Sequence, residues 1–165
     1  MQATGNDFIV IDKKTPGSKP LALSLPLLAK KLCDRKFGIG ADGLLILDES
    51  KIADIKMRIF NADGSEAEMC GNGASCVALW AKSKTKDQKS KILKIETKAW
   101  IIESGVKGND VKIKLTEPKD IKLNIPIKIN NRSLKVNFID TGVPHAVIFV
   151  EGLTKIDVVG IGKAA

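Results

Sequence analysis

The sequence predicts an α+β fold in which a sheet wraps around one central helix, and three observations lead there. Short runs rich in β-branched residues recur along the chain, and some alternate strictly between apolar and charged residues, as half-buried strands do. One segment, Ala74 to Lys82, is apolar on most sides through Cys76, Val77, Leu79, Trp80 and Ala81, which suits a helix packed all round. Clusters of Gly, Pro, Asn and Asp fall between these runs rather than inside them.

In chain order, Phe8-Ile9-Val10-Ile11 is a continuous apolar run after Gly5-Asn6, as expected of a strand buried on both faces. Lys13 to Pro20 reads as a loop. Ser24 can cap a helix with Pro26 in its first turn, running to about Arg35 with Cys33 near its end as a small core residue. Gly38-Ile39-Gly40-Ala41-Asp42-Gly43 forms a tight turn into the strand Leu44–Leu47. It is not a nucleotide loop, because a strand rather than a helix follows it and no Gly-Lys-Ser/Thr closes it. Ile55 to Phe60 alternates and delivers Asn61 to the turn Ala62-Asp63-Gly64-Ser65. After the helix, strands are expected at Ile92–Thr97, Ala99–Val106 and Val111–Thr116. Glu117-Pro118-Lys119-Asp120 breaks the pattern and divides a first domain, 1–117, from the start of a second, 118–165. Beyond it, Ile125–Ile129, Leu134–Ile139 and Ala146–Val150 are strand-like, with a turn at Asn130-Asn131-Arg132. A helix is expected to begin at Gly152-Leu153-Thr154 and to be incomplete at Ala165.

The 165 residues carry a net charge of +8, 44% hydrophobic residues and three cysteines. No apolar run approaches the roughly 20 residues of a membrane helix, and Met1 to Asp12 lacks the pattern of a secretory signal. A cytoplasmic protein with no membrane partner and free thiols is expected. The basic charge invites a nucleic-acid reading, but it is almost all Lys, with Arg only at Arg35, Arg58 and Arg132, and there is no Tyr for base stacking. Lys82 to Lys91 then reads as a solvated connector, and no nucleic-acid partner is expected.

The chemistry concentrates around Met69-Cys70-Gly71-Asn72-Gly73. A thiol directly before a helix start lies beside N–H groups that no helical carbonyl satisfies, and their partial positive charge favours a sulfur anion and attracts carboxylates. Asn6 and Asn61 lie at strand ends, where side chains reach a cleft. His145, in Gly142-Val143-Pro144-His145, is the sole histidine, and imidazole can activate a thiolate. A cysteine near a turn and a single histidine are nonetheless each more often structural than chemical. Zinc is not expected: Cys70 and Cys76 are separated by five residues, and Cys33 sits in a helix.

Gly5-Asn6-Asp7-Phe8, Gly38 to Gly43, Asn61 to Ser65, Met69 to Ala74 and Gly142 to His145 together closely resemble the diaminopimelate epimerase family, in order and spacing over the whole chain. The resemblance implies a mostly antiparallel, barrel-like sheet around the central helix, and a second pseudo-symmetric domain of which only the start is present. It also implies cofactor-independent epimerisation of LL- to meso-diaminopimelate by two thiols on opposite faces of the substrate. It makes Cys70 one of those thiols, Gly71 and Asn72 the amides that hold the α-carboxylate, Asn6 and Asn61 substrate contacts, and His145 the histidine that partners the thiol. A homodimer is compatible with it. The family's other cysteine, with its glutamate partner and second carboxylate turn, lies in a later half absent here. By the resemblance Met1 also falls inside the family's first strand, so both ends look cut, and the 165 residues alone are expected to be inactive. Val143, Gly43 and Ser75 stand where members often carry asparagine, glutamine and arginine. The alternatives are a racemase or isomerase of the same fold, or a non-enzymatic basic binding module.

Overall fold

The computed structural model describes residues 1–15, 24–84, 92–129 and 132–164. Part of the 13–20 loop, most of the 82–91 connector and the centre of the 130–132 turn lie outside the described residues. The chain divides into two compact units, 1–114 and 115–165.

The first unit begins with a hairpin, β1 (Gln2–Ala3) and β2 (Asn6–Asp12). Its two-residue turn, Thr4-Gly5, has φ of 53° and 85°. Positive φ at both central positions matches the twist of antiparallel strands, and Gly5 adopts it without strain. Next come α1 (Leu25–Cys33), β3 (Gly43–Asp48), β4 (Ile55–Asn61) and the short β5 (Glu66–Ala67). Then follow α2 (Gly71–Lys84), β6 (Leu93–Glu96), β7 (Ile101–Lys107) and β8 (Asp110–Lys114). The sheet order is β1-β2-β3-β4-β6-β7-β8, with β5 on β4, and only β2/β3 and β4/β6 are parallel.

The sheet curls around α2. Val77 and Ala78 of that helix share one apolar cluster with Ala3 of β1 at one edge and with Val111 and Ile113 of β8 at the other. A strand pair at each end of a sheet can meet one helix only if the sheet bends round it, so this unit is the expected α+β half-barrel with a central helix. On the outer face α1 packs Ala29 and Cys33 against Leu44, Ile46 and Phe60. The strand β3 is thus covered on both sides: Leu44, Leu45, Ile46 and Leu47 are all fully buried. Each contributes about 2 kcal/mol of burial.

Several local expectations are corrected. Ser24 precedes α1 but its side chain makes no capping bond; its carbonyl instead receives Leu28 N–H at 2.9 Å. The helix ends at Cys33, not Arg35, because the glycine turn folds back and closes it. Ile39 and Gly40 N–H donate to Leu32 O, and Ala41 N–H to Cys33 O, satisfying the last carbonyls. The Gly38–Gly43 turn is therefore the C-terminal cap of α1. The central helix starts three residues earlier than apolar periodicity suggests, at Gly71, since glycines carry no periodicity signal.

The second unit is an antiparallel sheet, β11 (Pro144–Val147), β10 (Arg132–Asp140) and β9 (Lys119–Ile129), followed by a 3₁₀ turn (Leu153–Lys155) and α3 (Val158–Ala164). Here β9 already begins at Lys119, inside the stretch that reads as a break. Asp120 and Asn124 have φ of 54° and 56°, and the β9/β10 register shifts twice, so alternation is lost although pairing continues. The last strand is also earlier than expected, 144–147 rather than 146–150.

A β-carbon at Gly38 would lie 2.2 Å from Lys31 O and 2.6 Å from Leu32 O, backbone atoms that cannot yield. Gly38→Ala is expected to cost about 3 kcal/mol in urea denaturation. Gly105→Ala, with nothing within 4 Å, should stay within about 0.5 kcal/mol of the parent.

Candidate active site

Strand alternation decides which side chains face α2. Phe8 and Ile59 belong to the α2-side core, whereas Ile9 and Phe60 belong to the α1-side core. Two residues along from Phe8 and from Ile59, Asn6 and Asn61 fall on the α2 face. They also fall at one end of the sheet, because Gly43 pairs with Phe8 on one side and with Asn61 on the other. Gly43 has no room for a side chain there: a β-carbon would lie 3.0 Å from Phe60 O and 3.2 Å from the Phe8 ring.

The start of α2 is pressed onto the same face. A β-carbon at Gly73 would approach Leu45 Cδ2 to 3.2 Å and Ile59 Cδ1 to 3.4 Å, so the glycine lets the helix sit down on β3 and β4. Cys70 precedes the helix, half-buried, in the capping position. Its Sγ accepts Gly73 N–H at 3.4 Å, and its carbonyl accepts Ala74 N–H at 2.9 Å. Gly71 and Asn72 N–H, the other two donors of the first turn, have no partner among the described residues. A helix N-terminus with open N–H groups beside a sulfur can hold a carboxylate while the sulfur takes or gives a proton.

The asparagines are held differently. Asn61 receives Gly64 N–H on its carbonyl at 2.9 Å, and its Nδ2 donates to Ser65 Oγ at 2.9 Å, which leaves Oδ1 as the open acceptor. Thr4 Oγ1 lies 3.1 Å from the Asn72 side chain, tying the first hairpin turn to the helix start. Ser75 Oγ donates back to Gly71 O at 2.9 Å. The structure thus brings Asn6, Asn61, Cys70, Gly71 and Asn72 to one end of one sheet face. His145 belongs to the second unit, on β11 opposite Ile139. Its Nδ1 lies 2.6 Å from Val143 O, an atom that only accepts, so the ring donates there and a neutral imidazole keeps its lone pair on Nε2.

All three cysteines are free. Cys33 and Cys76 are buried, and burial pushes both thiols up, away from the anion. A cluster that residue-by-residue reading missed lies beside the site: Arg35 forks onto Asp7 at 2.7 and 3.1 Å and also reaches Asp42 at 3.0 Å. The Arg35 guanidinium and then the Asp42 N–H hold the Asp7 carboxyl well below the usual carboxylate range, and Asp7 in turn raises Arg35. In the sequence, Asp7 directly follows Asn6 and Asp42 directly precedes Gly43.

A family model described as diaminopimelate epimerase matches residues 1–120. The diaminopimelate epimerase of Carboxydothermus hydrogenoformans is 43% identical over 95% of this chain and 61% of that protein. The one from Halothermothrix orenii is 40% identical over 96% of the chain and 61% of that protein. The chain spans about three-fifths of the length of these curated relatives. Among solved structures, a hydroxyproline epimerase from Agrobacterium vitis superposes with a TM-score of 0.63 at 16% identity, covering 92% of this chain and 51% of that one. A phenazine biosynthesis protein from Bacillus anthracis gives 0.61 at 24% identity, covering 93% and 53%. At such identities these two show the fold.

Two outcomes are expected from this geometry. Brief alkylation of the native protein should modify Cys70 while Cys33 and Cys76 react only in denaturant, read by peptide mass spectrometry. For Asp7, a depressed folded pKa means that its contribution is present above the ordinary value of 3.8 and is lost as pH falls below it. Asp7→Asn should therefore be less stable than the parent at neutral pH and should show a shallower loss of stability on acidification, measured by thermal melts from pH 7 downward.

Proposed function

The chain belongs to the diaminopimelate epimerase family, and from that premise we propose that the full-length protein interconverts LL- and meso-diaminopimelate without a cofactor, this chain supplying one of two thiols. The observation that carries the proposal is Cys70 in the capping position of α2, followed by two N–H donors left open at Gly71 and Asn72. No helix among the described residues is long and apolar enough to cross a membrane.

In the proposed reaction the Cys70 thiolate removes the α-proton. The Cα–H bond breaks, an S–H bond forms, and the electron pair stays on Cα, delocalised into the carboxylate. Gly71 and Asn72 N–H, already aimed and aided by the helix dipole, take up the charge that develops on those carboxylate oxygens. A second thiol, from the part of the protein beyond this chain, delivers a proton to the opposite face and inverts the centre. In the reverse direction the two sulfurs exchange roles. Asn6 and Asn61 hold the polar ends of the substrate, with Asn61 Oδ1 as the acceptor for an ammonium. For His145, in the second unit, the role of the acid/base histidine rests on the resemblance of Gly142-Val143-Pro144-His145 to the family motif.

Neither Cys33 nor Cys76 supplies the second thiol, since both are buried and kept protonated. The 165 residues alone are accordingly proposed to be inactive as an epimerase and at most to exchange the α-proton with retention. A homodimer is part of the same proposal, checked by sedimentation of the full-length protein.

In the full-length protein Cys70→Ala should lower LL-to-meso conversion by about 10³-fold or more. Cys76→Ala should leave it within about threefold of the parent, at a modest loss of stability. Full activity of the Cys70 variant, or turnover of proline in preference to diaminopimelate, would contradict the proposal.

A further inference from the structure

We propose that Asp7, Arg35 and Asp42 form a positioning cluster that fixes the strand ends carrying Asn6 and Asn61, and so sets the grip on substrate without touching it. The inference rests on the reading above for the roles of those asparagines, but its geometry is independent of them. The two carboxylates cap one another's strands. Asp42 Oδ2 accepts Asp7 N–H at 3.1 Å, and Asp42 N–H is shared between Asp7 Oδ1 at 2.9 Å and Asp7 O at 3.0 Å. Asp42 O then accepts Ala62 N–H at 3.2 Å.

The anchored backbone atoms thus belong to the residue after Asn6, the residue before Gly43 and the residue after Asn61. Three strand ends from separate parts of the sequence are fastened at one point.

Two carboxylates this close repel unless a cation lies between them. Arg35 supplies it, bonding Asp7 with both terminal nitrogens and Asp42 with one. Its own place is set by the end of α1, where Asp34 Oδ1 accepts Lys36 and Phe37 N–H at 2.7 and 2.8 Å and the glycine turn closes the helix. Strand alternation puts Asp7 on the opposite face from Asn6 and Phe8, toward α1. The cluster therefore cannot reach a molecule held at the start of α2, and it acts through the asparagines.

The test uses the full-length protein. Arg35→Lys keeps the charge but not the fork. It is expected to lower kcat/KM for diaminopimelate about tenfold or more at an almost unchanged melting temperature. In an Asn6→Ala background the same substitution should cost less than about threefold further, because the asparagine it acts through is gone. Independently of turnover, hydrogen exchange read by mass spectrometry should quicken at residues 6–8 and 61–65 in Arg35→Lys and stay unchanged over 71–84. Parent-like kinetics, fully additive losses, or exchange that is unchanged at the strand ends would overturn the cluster's role. A parent protein inactive on diaminopimelate would overturn the proposed function, while the exchange measurement would still decide whether the cluster anchors the strands.

Discussion

The close approach of α2 to the sheet is the constraint on which the rest of the first unit depends. Gly73 permits it, since any side chain there would push against Leu45 and Ile59. A helix that starts so tightly against two strands buries its first turn, and a buried first turn needs partners for its N–H groups. One finds the Cys70 sulfur and another the Cys70 carbonyl. The remaining two, at half-buried Gly71 and Asn72, have no partner among the described residues, which leaves them as donors for an anionic guest. Packing and chemistry are thus set by the same contact.

The sheet supplies the second half of that arrangement. With β3 buried on both faces between α1 and α2, its place in the sheet is marked by Gly43, which has no room for a β-carbon where it pairs with Phe8 and Asn61. Fixed register puts Asn6 and Asn61 on the helix side at one end of the sheet. The ionic cluster on the other side is largely exposed, so that it adds only modestly to stability and more to geometry. It joins backbone atoms of residues 7, 42 and 62, which flank the site. Rigid strands and a charge-assisted staple together would give the preorganisation that the proposed abstraction of a weakly acidic proton requires.

Where local reading failed, the cause was physical and identifiable. Ser24 has the composition of a cap, yet its side chain makes no capping bond. Lys119-Asp120 has the composition of a break, yet a bulged strand tolerates left-handed residues and keeps pairing. Asp7 and Asp42 stand beside motif residues, but nothing local pairs them with Arg35, because an ion cluster exists only once three separate segments meet.

The sequence by itself determined the element types, the apolar central helix, the glycine turn before β3, the thiol placed before a Gly-Asn-Gly helix start, and the two asparagines at strand ends. These are properties of short windows: periodicity, turn chemistry and the residue types a helix start accepts. Only the tertiary structure decided that the sheet curls until both edges meet α2, and that the asparagines and the thiol share one face. It alone decided that the glycine turn closes a helix, and that Asp7, Arg35 and Asp42 bind the strand ends together. Such facts depend on register and on contacts between distant segments, which no local pattern encodes.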